Sequence, residues 1–254
     1  MLARLTRWND AWLGAGVTFL LLVIVFLPLL AVILNAVLPG LFFGRVEFQG
    51  FGLLLEIFER PLWRRSLTNS LTLALGAATL GTIIGGVLAA LRSQWQFAVG
   101  RWLDVGAWVL LITPSFMVAQ GWVLFAGGNG LARGVLGWDG ITTLVFQPAG
   151  LIVVMALSKF SLAYLTIRAA SEWSAAHLTN AARLSGAGPL AVWRTIRLPL
   201  LLPAYVAGWT LVFIDAFGDF GLPAALSAVY RFPTLPYSIY ASIYQSPVRF
   251  DMAG

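Results

Sequence analysis

Few residues in this chain have side chains suited to catalysis or to holding a metal. The chain has one lysine, Lys159, one histidine, His177, and no cysteine. Without cysteine there is no disulfide, thiolate zinc site, iron–sulfur cluster or cysteine nucleophile. A Ser-His-Asp triad would have to use His177, and a phosphate-binding G-x-x-x-x-G-K-[ST] loop needs a lysine after glycine, which this sequence lacks. The sequence therefore predicts no catalytic residue, no resident metal site and no ATP hydrolysis through such a loop.

The composition is that of a membrane protein. Of 254 residues, 59% are hydrophobic and 10% are charged, against about 45–50% and about 25% in soluble domains. The net charge of +6 comes from arginines scattered over helix ends, so no basic face exists for a nucleic-acid partner. Long, continuously apolar windows exclude the alternating strands of a β-barrel. The fold class is predicted to be all-α, a polytopic helical bundle in a lipid bilayer.

Five windows are apolar enough and long enough, at about 20 residues, to span a bilayer as helices. They are residues 11–44, 67–91, 105–126 with an interruption at Pro114, 144–167, and 198–217. The first window is longer than the 7–15 apolar residues of a signal peptide and has no clear cleavage site, so we predict a retained helix. The predicted domains are an N-terminal transmembrane helix (1–44), a periplasmic amphipathic segment (45–66) and a membrane core (67–254).

Three charged side chains lie in the apolar windows or just after them. Asp215 and Asp219 are four residues apart, a spacing that places both on one helix face, where they would meet a cation or water at the outer mouth. Lys159 costs at least about 2.5–3.5 kcal/mol if it is unpaired inside the membrane. We favour a side chain that extends toward the inner headgroups, and lining of a pathway is the alternative. Helix rise places Lys159 and Asp215 at depths about 10 Å apart, so we expect no pair between them.

Residues 169–198, between the fourth and fifth windows, have the pattern of two short helices. The run from Gly186 to Pro189 breaks them, and Gly186 is predicted to adopt a backbone conformation that a Cβ would strain. Leu184, Trp193 and Ile196 are apolar and would be exposed on such a projection. Exposed apolar side chains on a projecting helix pair predict a docking surface for another protein.

The same segment resembles the cytoplasmic coupling loop of ATP-binding-cassette (ABC) importer permeases, whose pattern is E-A-A-x3-G-x9-I-x-L-P. The residues that match its positions are Asn180, Ala181, Ala182, Gly186, Ile196, Leu198 and Pro199. Asn180 stands where the family has glutamate, which keeps a hydrogen-bonding side chain but removes the charge. The start of the second window, Leu67-Thr68-Asn69-Ser70-Leu71, resembles the family's N-[ST]-L motif. The resemblance covers residues 67–251.

This resemblance implies a type I importer permease fold and several partners. The chain would form the solute path, while a separate ATPase uses ATP and this chain binds no cofactor. A periplasmic solute-binding protein would deliver the solute, and a second permease half would complete the path, in a bacterial inner (plasma) membrane. The loop must meet the ATPase in the cytoplasm, which places the N-terminus there too. The arginine distribution alone does not decide the orientation.

Two further motifs resemble the permeases of ferric-iron-type importers, whose relatives carry thiamine, polyamines, phosphonates and sulfate. They are Thr113-Pro114-Ser115-Phe116 with Gln120-Gly121-Trp122, and the run from Asp215 to Pro223. The resemblance implies ferric iron or a similar small solute, with polyamine, thiamine, phosphonate and sulfate as alternatives. The candidate residues of the translocation path are Pro114, Ser115, Gln120, Lys159, Asp215 and Asp219.

Two other classes of function are weaker interpretations of the sequence. A secondary transporter would show two repeated halves, and an integral-membrane enzyme would need His, Asp or Glu clustered near one membrane face. Five spans that start inside leave the C-terminal residues outside, where residues 237–252 have the pattern of an amphipathic approach to another helix. We therefore expect five spans here and a sixth beyond Gly254, against the alternative of a complete five-span chain.

Overall fold

A computed structural model describes residues 2–38, 58–95, 98–173, 176–227 and 232–244. Within these ranges every regular element is a helix, in agreement with the predicted class. In chain order the helices are α1 (Leu2–Val37), α2 (Pro61–Gln94), α3 (Gly100–Ile112), α4 (Ser115–Ala126), α5 (Leu131–Gly134), α6 (Ile141–Val145), α7 (Pro148–Trp173), α8 (Ala176–Leu184), α9 (Pro189–Val192), α10 (Leu198–Phe217), α11 (Gly221–Leu226) and α12 (Leu235–Tyr244). Residues 45–57 and 245–254, on which the amphipathic-segment and sixth-span predictions depend, lie outside the described residues.

The chain divides into two compact units. The first comprises residues 1–64 and 238–254, and the second comprises residues 65–237. In the first unit, the candidate span Trp12–Leu34 of α1 has a mean hydropathy of 3.2 and none of its most apolar window is buried. A helix that is apolar all round and unburied is suited to contact with lipid.

Four described helical segments are long and apolar enough to cross a membrane. They are Trp12–Leu34, Pro61–Gln94, Pro148–Glu172 and Pro189–Phe217. A fifth span is reached only if the bent pair Gly100–Ile112 and Ser115–Gly134 counts as one. The prediction of an all-helical membrane bundle is confirmed, and the predicted last span, 198–217, coincides with α10.

The third predicted span, residues 105–126, was expected to be one interrupted helix and is instead sharply broken. The helices on either side of Pro114 differ in direction by 110°. Pro114 has no N–H to continue the ladder, and a residue before proline is biased toward extended backbone. Thr113 accordingly has φ −77° and ψ 123°. The break begins α4 at Ser115 and turns it to pack against α11.

Small residues on α2 allow α7 to approach closely. Ala74, Ala77 and Ala78 are fully buried, and a Cβ built on Gly85 would lie 2.7 Å from the Phe160 carbonyl oxygen of α7. Small residues let two helix backbones approach closely. In lipid, where no hydrophobic driving force acts between helices, this close van der Waals packing stabilises their association. The glycine- and alanine-rich run of α2 is therefore a helix-packing surface.

The N-[ST]-L motif holds the start of α2 to the segment before α12. The Asn69 side-chain amide donates to the Pro233 carbonyl oxygen at 2.8 Å, and the Leu235 N–H donates to Ser70 Oγ at 2.8 Å. The first bond satisfies a carbonyl of the non-helical stretch and the second satisfies the N–H of the first residue of α12, groups that lipid would leave unpaired. The motif thus has a structural role within the second unit.

Candidate functional site

A cavity of about 540 Å³ opens beside the break in the third predicted span. Its walls come from the end of α3, the start of α4, the middle of α7 and the end of α10. Five predicted path residues line it, namely Pro114, Ser115, Lys159, Asp215 and Asp219. Gln120, the sixth, is exposed on α4 and is not among the lining residues. Both motifs with the ferric-type resemblance thus meet at one cavity.

An ion cluster forms the charged wall of this cavity. Lys159 Nζ lies 2.8 Å from Asp219 Oδ2 and also pairs with Asp215 Oδ2. The Lys159 side chain is 8% exposed and that of Asp219 is 2% exposed, whereas the Asp215 side chain is 50% exposed. The Leu222 N–H donates to Asp219 Oδ1 at 3.2 Å, so Asp219 has a second partner.

The structure corrects three expectations about this cluster. Lys159 does not extend to headgroups, because its side chain is buried and paired, and the Lys159–Asp215 pair that we excluded is present. The depth estimate counted from Arg168, directly after the predicted span 144–167, but α7 continues to Trp173, which adds about 7.5 Å at 1.5 Å per residue. Asp219 does not share a helix face with Asp215, because α10 ends at Phe217.

A second ion cluster, which the sequence analysis did not find, is centred on Asp104 of α3. Its carboxylate pairs with Arg92 Nη2 at 3.2 Å and with Arg168 Nη1, and it accepts the Tyr164 hydroxyl hydrogen. Arg168 Nε also lies 3.3 Å from Glu172 Oε1. The cluster ties α2, α3 and α7 together. The available signal was the single acidic residue of a largely apolar helix.

The predicted coupling loop consists of two short helices joined at a glycine turn. α8 ends at Leu184, Gly186 has φ +84°, and α9 begins at Pro189, which confirms the prediction of strain for a Cβ at Gly186. A π-helical turn, Trp193–Arg197, then joins α9 to α10 without a break.

The motif residues of the loop differ in their exposure. Asn180, Ala181, Gly186 and Pro199 are exposed, and Ala182, Ile196 and Leu198 are half-buried. Leu184 is 90% exposed, the expected state for an apolar docking residue, whereas Trp193 and Ile196 are half-buried. The side chain of His177 lies outside the described residues.

Comparison with known proteins places these features in context. Residues 79–246 match the family model described as "Binding-protein-dependent transport system inner membrane component". The chain is 31% identical over 196 residues to the molybdenum transport system permease protein ModB of Escherichia coli K12, covering 75% of this chain and 83% of that protein. It is 25% identical over 190 residues to the spermidine/putrescine transport system permease protein PotC of Haemophilus influenzae Rd, covering 74% and 68%.

Solved structures agree at the level of the fold. The chain superposes on a bacterial ABC transporter involved in the import of the acidic polysaccharide alginate with a TM-score of 0.76. The match covers 98% of this chain and 90% of that chain at 18% sequence identity. A second structure of a bacterial alginate ABC transporter, in complex with an alginate pentasaccharide-bound periplasmic protein, gives a TM-score of 0.74.

Proposed function

The chain belongs to the family of binding-protein-dependent transport system inner membrane components and is an ABC importer permease subunit, not an enzyme; from this premise we propose that its cavity at Lys159, Asp215 and Asp219 is part of the solute path. The observation that carries the proposal is that two separate sequence motifs line the same cavity. Two motifs about 100 residues apart in sequence, each singled out by resemblance, line one cavity that holds intramembrane charges. Intramembrane ionisable groups are typically found along substrate pathways.

The loop over residues 169–198 is proposed to bind a separate ATPase, which uses ATP while this chain binds no cofactor. Exposed apolar side chains and the E-A-A-type pattern support this assignment. The loop would lie in the cytoplasm. Four spans precede it when the bent pair Gly100–Ile112 and Ser115–Gly134 is taken as one span, so the N-terminus would lie in the cytoplasm as well. A periplasmic binding protein would deliver the solute, and a second permease half would complete the path.

The first candidate solute is ferric iron. The support is the resemblance of the cavity-lining motifs, Thr113 to Phe116 and Asp215 to Pro223, to ferric-type permeases. Carboxylate oxygens are also suitable contacts for a hard, highly charged cation. The second candidate is an oxyanion such as molybdate, which the 31% identity to a molybdenum permease favours.

Solute uptake tests the proposal directly. Cells that lack this chain, complemented with the wild-type gene, are expected to recover ATP-dependent accumulation of radiolabelled ferric iron. Recovery of molybdate uptake alone would replace the first candidate by the second. Failure to restore ATP-dependent uptake of ferric iron, molybdate, sulfate, thiamine, phosphonate and polyamine alike would refute the assignment of the solute path.

Site-specific cross-linking tests the loop. The 254-residue sequence has no cysteine, so a single thiol introduced into it reports one position. Leu184→Cys, at a side chain 90% exposed, is expected to cross-link to the ATPase in native membranes, whereas Val135→Cys, 74% exposed near α5, is not. Equal cross-linking of both variants, or of neither, would contradict the docking assignment.

A further inference from the structure

The charged groups of the cavity are not equally available to a solute. The Lys159 and Asp219 side chains are 8% and 2% exposed, whereas that of Asp215 is 50% exposed. Charge that is buried and paired contributes little field to a neighbouring aqueous space, while a charge at the surface of that space acts on it directly. The net charge that a solute meets therefore depends on how the three groups are paired.

Lys159 and Asp219 form a fixed, neutral pair. Their charged atoms are 2.8 Å apart, and Asp219 also accepts the Leu222 N–H at 3.2 Å. Separating them would leave a charge uncompensated among apolar helices, which is far more costly than keeping the pair. This pair anchors the break after α10 and offers no net charge to the cavity.

Asp215 is the excess charge. It shares Lys159 with Asp219, so one ammonium serves two carboxylates, and half of its side chain faces open space. The other described residues that line the cavity, such as Thr113, Ser115 and Ser161, carry no charge. The cavity as described therefore presents one net negative charge, located at Asp215.

We propose that Asp215 is a specificity-determining residue that makes this cavity selective for cationic solutes, whether a metal cation or an organic polycation, over oxyanions. The inference rests on the proposed function of the cavity as part of the solute path. A carboxylate at the wall of a low-dielectric cleft concentrates cations and excludes anions, with effects of about 10- to 1,000-fold on association. Lys159, although it is the sole lysine, does not act as an anion-binding group because it is already paired with two carboxylates, those of Asp215 and Asp219.

The test uses the assembled transporter in cells that lack the chromosomal copy of this chain. Wild-type chain, Asp215→Asn and Asp139→Asn are compared for initial uptake rates of ferric iron supplied as ferric chloride, spermidine, molybdate and sulfate below saturation. Asp139 is the matched control, because its side chain is 79% exposed and it pairs with Arg133 outside the cavity. Asp215→Asn is expected to lower uptake of the transported cation about tenfold, and Asp139→Asn to leave it unchanged.

The solute arms separate a metal from a polyamine, and further variants keep the test decisive. Asp215→Glu, which retains the charge, is expected to keep most of the uptake. If Asp215→Asn does not accumulate in the membrane, Asp215→Ser replaces it. Wild-type-like cation uptake in a neutral variant, or a wild-type chain that imports only molybdate or sulfate, would overturn the inference while the permease function stands. A wild-type chain that imports none of the four solutes, and neither thiamine nor phosphonate, would instead count against the proposed path itself.

Discussion

The glycine turn of the predicted coupling loop allows a quantitative prediction. The Gly186 N–H donates to the Arg183 carbonyl oxygen and the Ala187 N–H to the Ala182 carbonyl oxygen, both at 3.0 Å. This pair of bonds is the Schellman arrangement, which closes a helix with a residue in the left-handed region. Gly186 occupies that position with φ +84°, so α8 ends there because glycine tolerates this conformation at little cost.

Gly186→Ala is expected to destabilise the turn by about 1–2 kcal/mol, the cost of a left-handed conformation for an L-residue. No atom lies within 4 Å of the Cβ position, so steric overlap adds nothing to this cost. Gly188 is the matched control, because its Cβ position is equally open and its φ is −68°. In Gly188→Ala, the loss of a favoured N-cap residue costs little stability. The lower conformational entropy of the unfolded chain offsets that cost.

Hydrogen exchange of the Ala187 amide measures the effect, since that N–H closes the turn. A change of about 1–2 kcal/mol corresponds to about 5- to 30-fold faster exchange in Gly186→Ala, with wild-type exchange in Gly188→Ala. Solute uptake per ATP hydrolysed is expected to fall only in Gly186→Ala, while the amount of chain in the membrane is unchanged. Equal exchange rates in the two variants would show that the left-handed conformation does not determine the stability of the loop.

Two further substitutions test the packing of the second unit. Asp104→Asn removes the shared partner of two partly buried arginines and is expected to destabilise the transporter by about 3 kcal/mol. Glu172→Gln is the control, because its side chain is 64% exposed and its loss is expected to cost less than about 1 kcal/mol. Equal melting temperatures of the two variants would contradict this expectation. Gly85→Ala would put a Cβ 2.7 Å from the Phe160 carbonyl oxygen and is expected to cost about 1–3 kcal/mol. Gly106→Ala, with nothing within 4 Å, is expected to be neutral, and a similar loss in both would refute the close-contact argument.

Features set by local sequence could be predicted. The length of an apolar window determines a span, and the prediction for 198–217 matches α10. The run from Gly186 to Pro189 breaks a helix wherever it stands, so the turn and the two short helices were also foreseen. The break at Pro114 was located correctly, but its 110° angle depends on how α4 packs against α11, which no local pattern specifies.

Pairings between distant helices could not be predicted in the same way. Lys159 and Asp215 are 56 residues apart in sequence, and their relative depth depended on where α7 ends. Helix ends are the least certain part of a sequence-based assignment, and an error of five residues changed the conclusion about the pair. Asp104 was missed for a related reason, because Arg92 and Arg168 have the pattern of ordinary helix-end charges until the three helices are brought together.

The residue proposed to select the solute and the loop proposed to meet the ATPase are connected by one helical path. α9, the π-helical turn and α10 follow without a break, and the candidate span is Pro189–Phe217. Asp215 lies about 39 Å along this path from Pro189 at 1.5 Å per residue. Gly186, in its left-handed conformation, precedes the path and separates α8 from it. We therefore expect the strain of Gly186→Ala to change the orientation of α8 and the proposed coupling, while Asp215 stays paired with Lys159 and the proposed charge selectivity is retained.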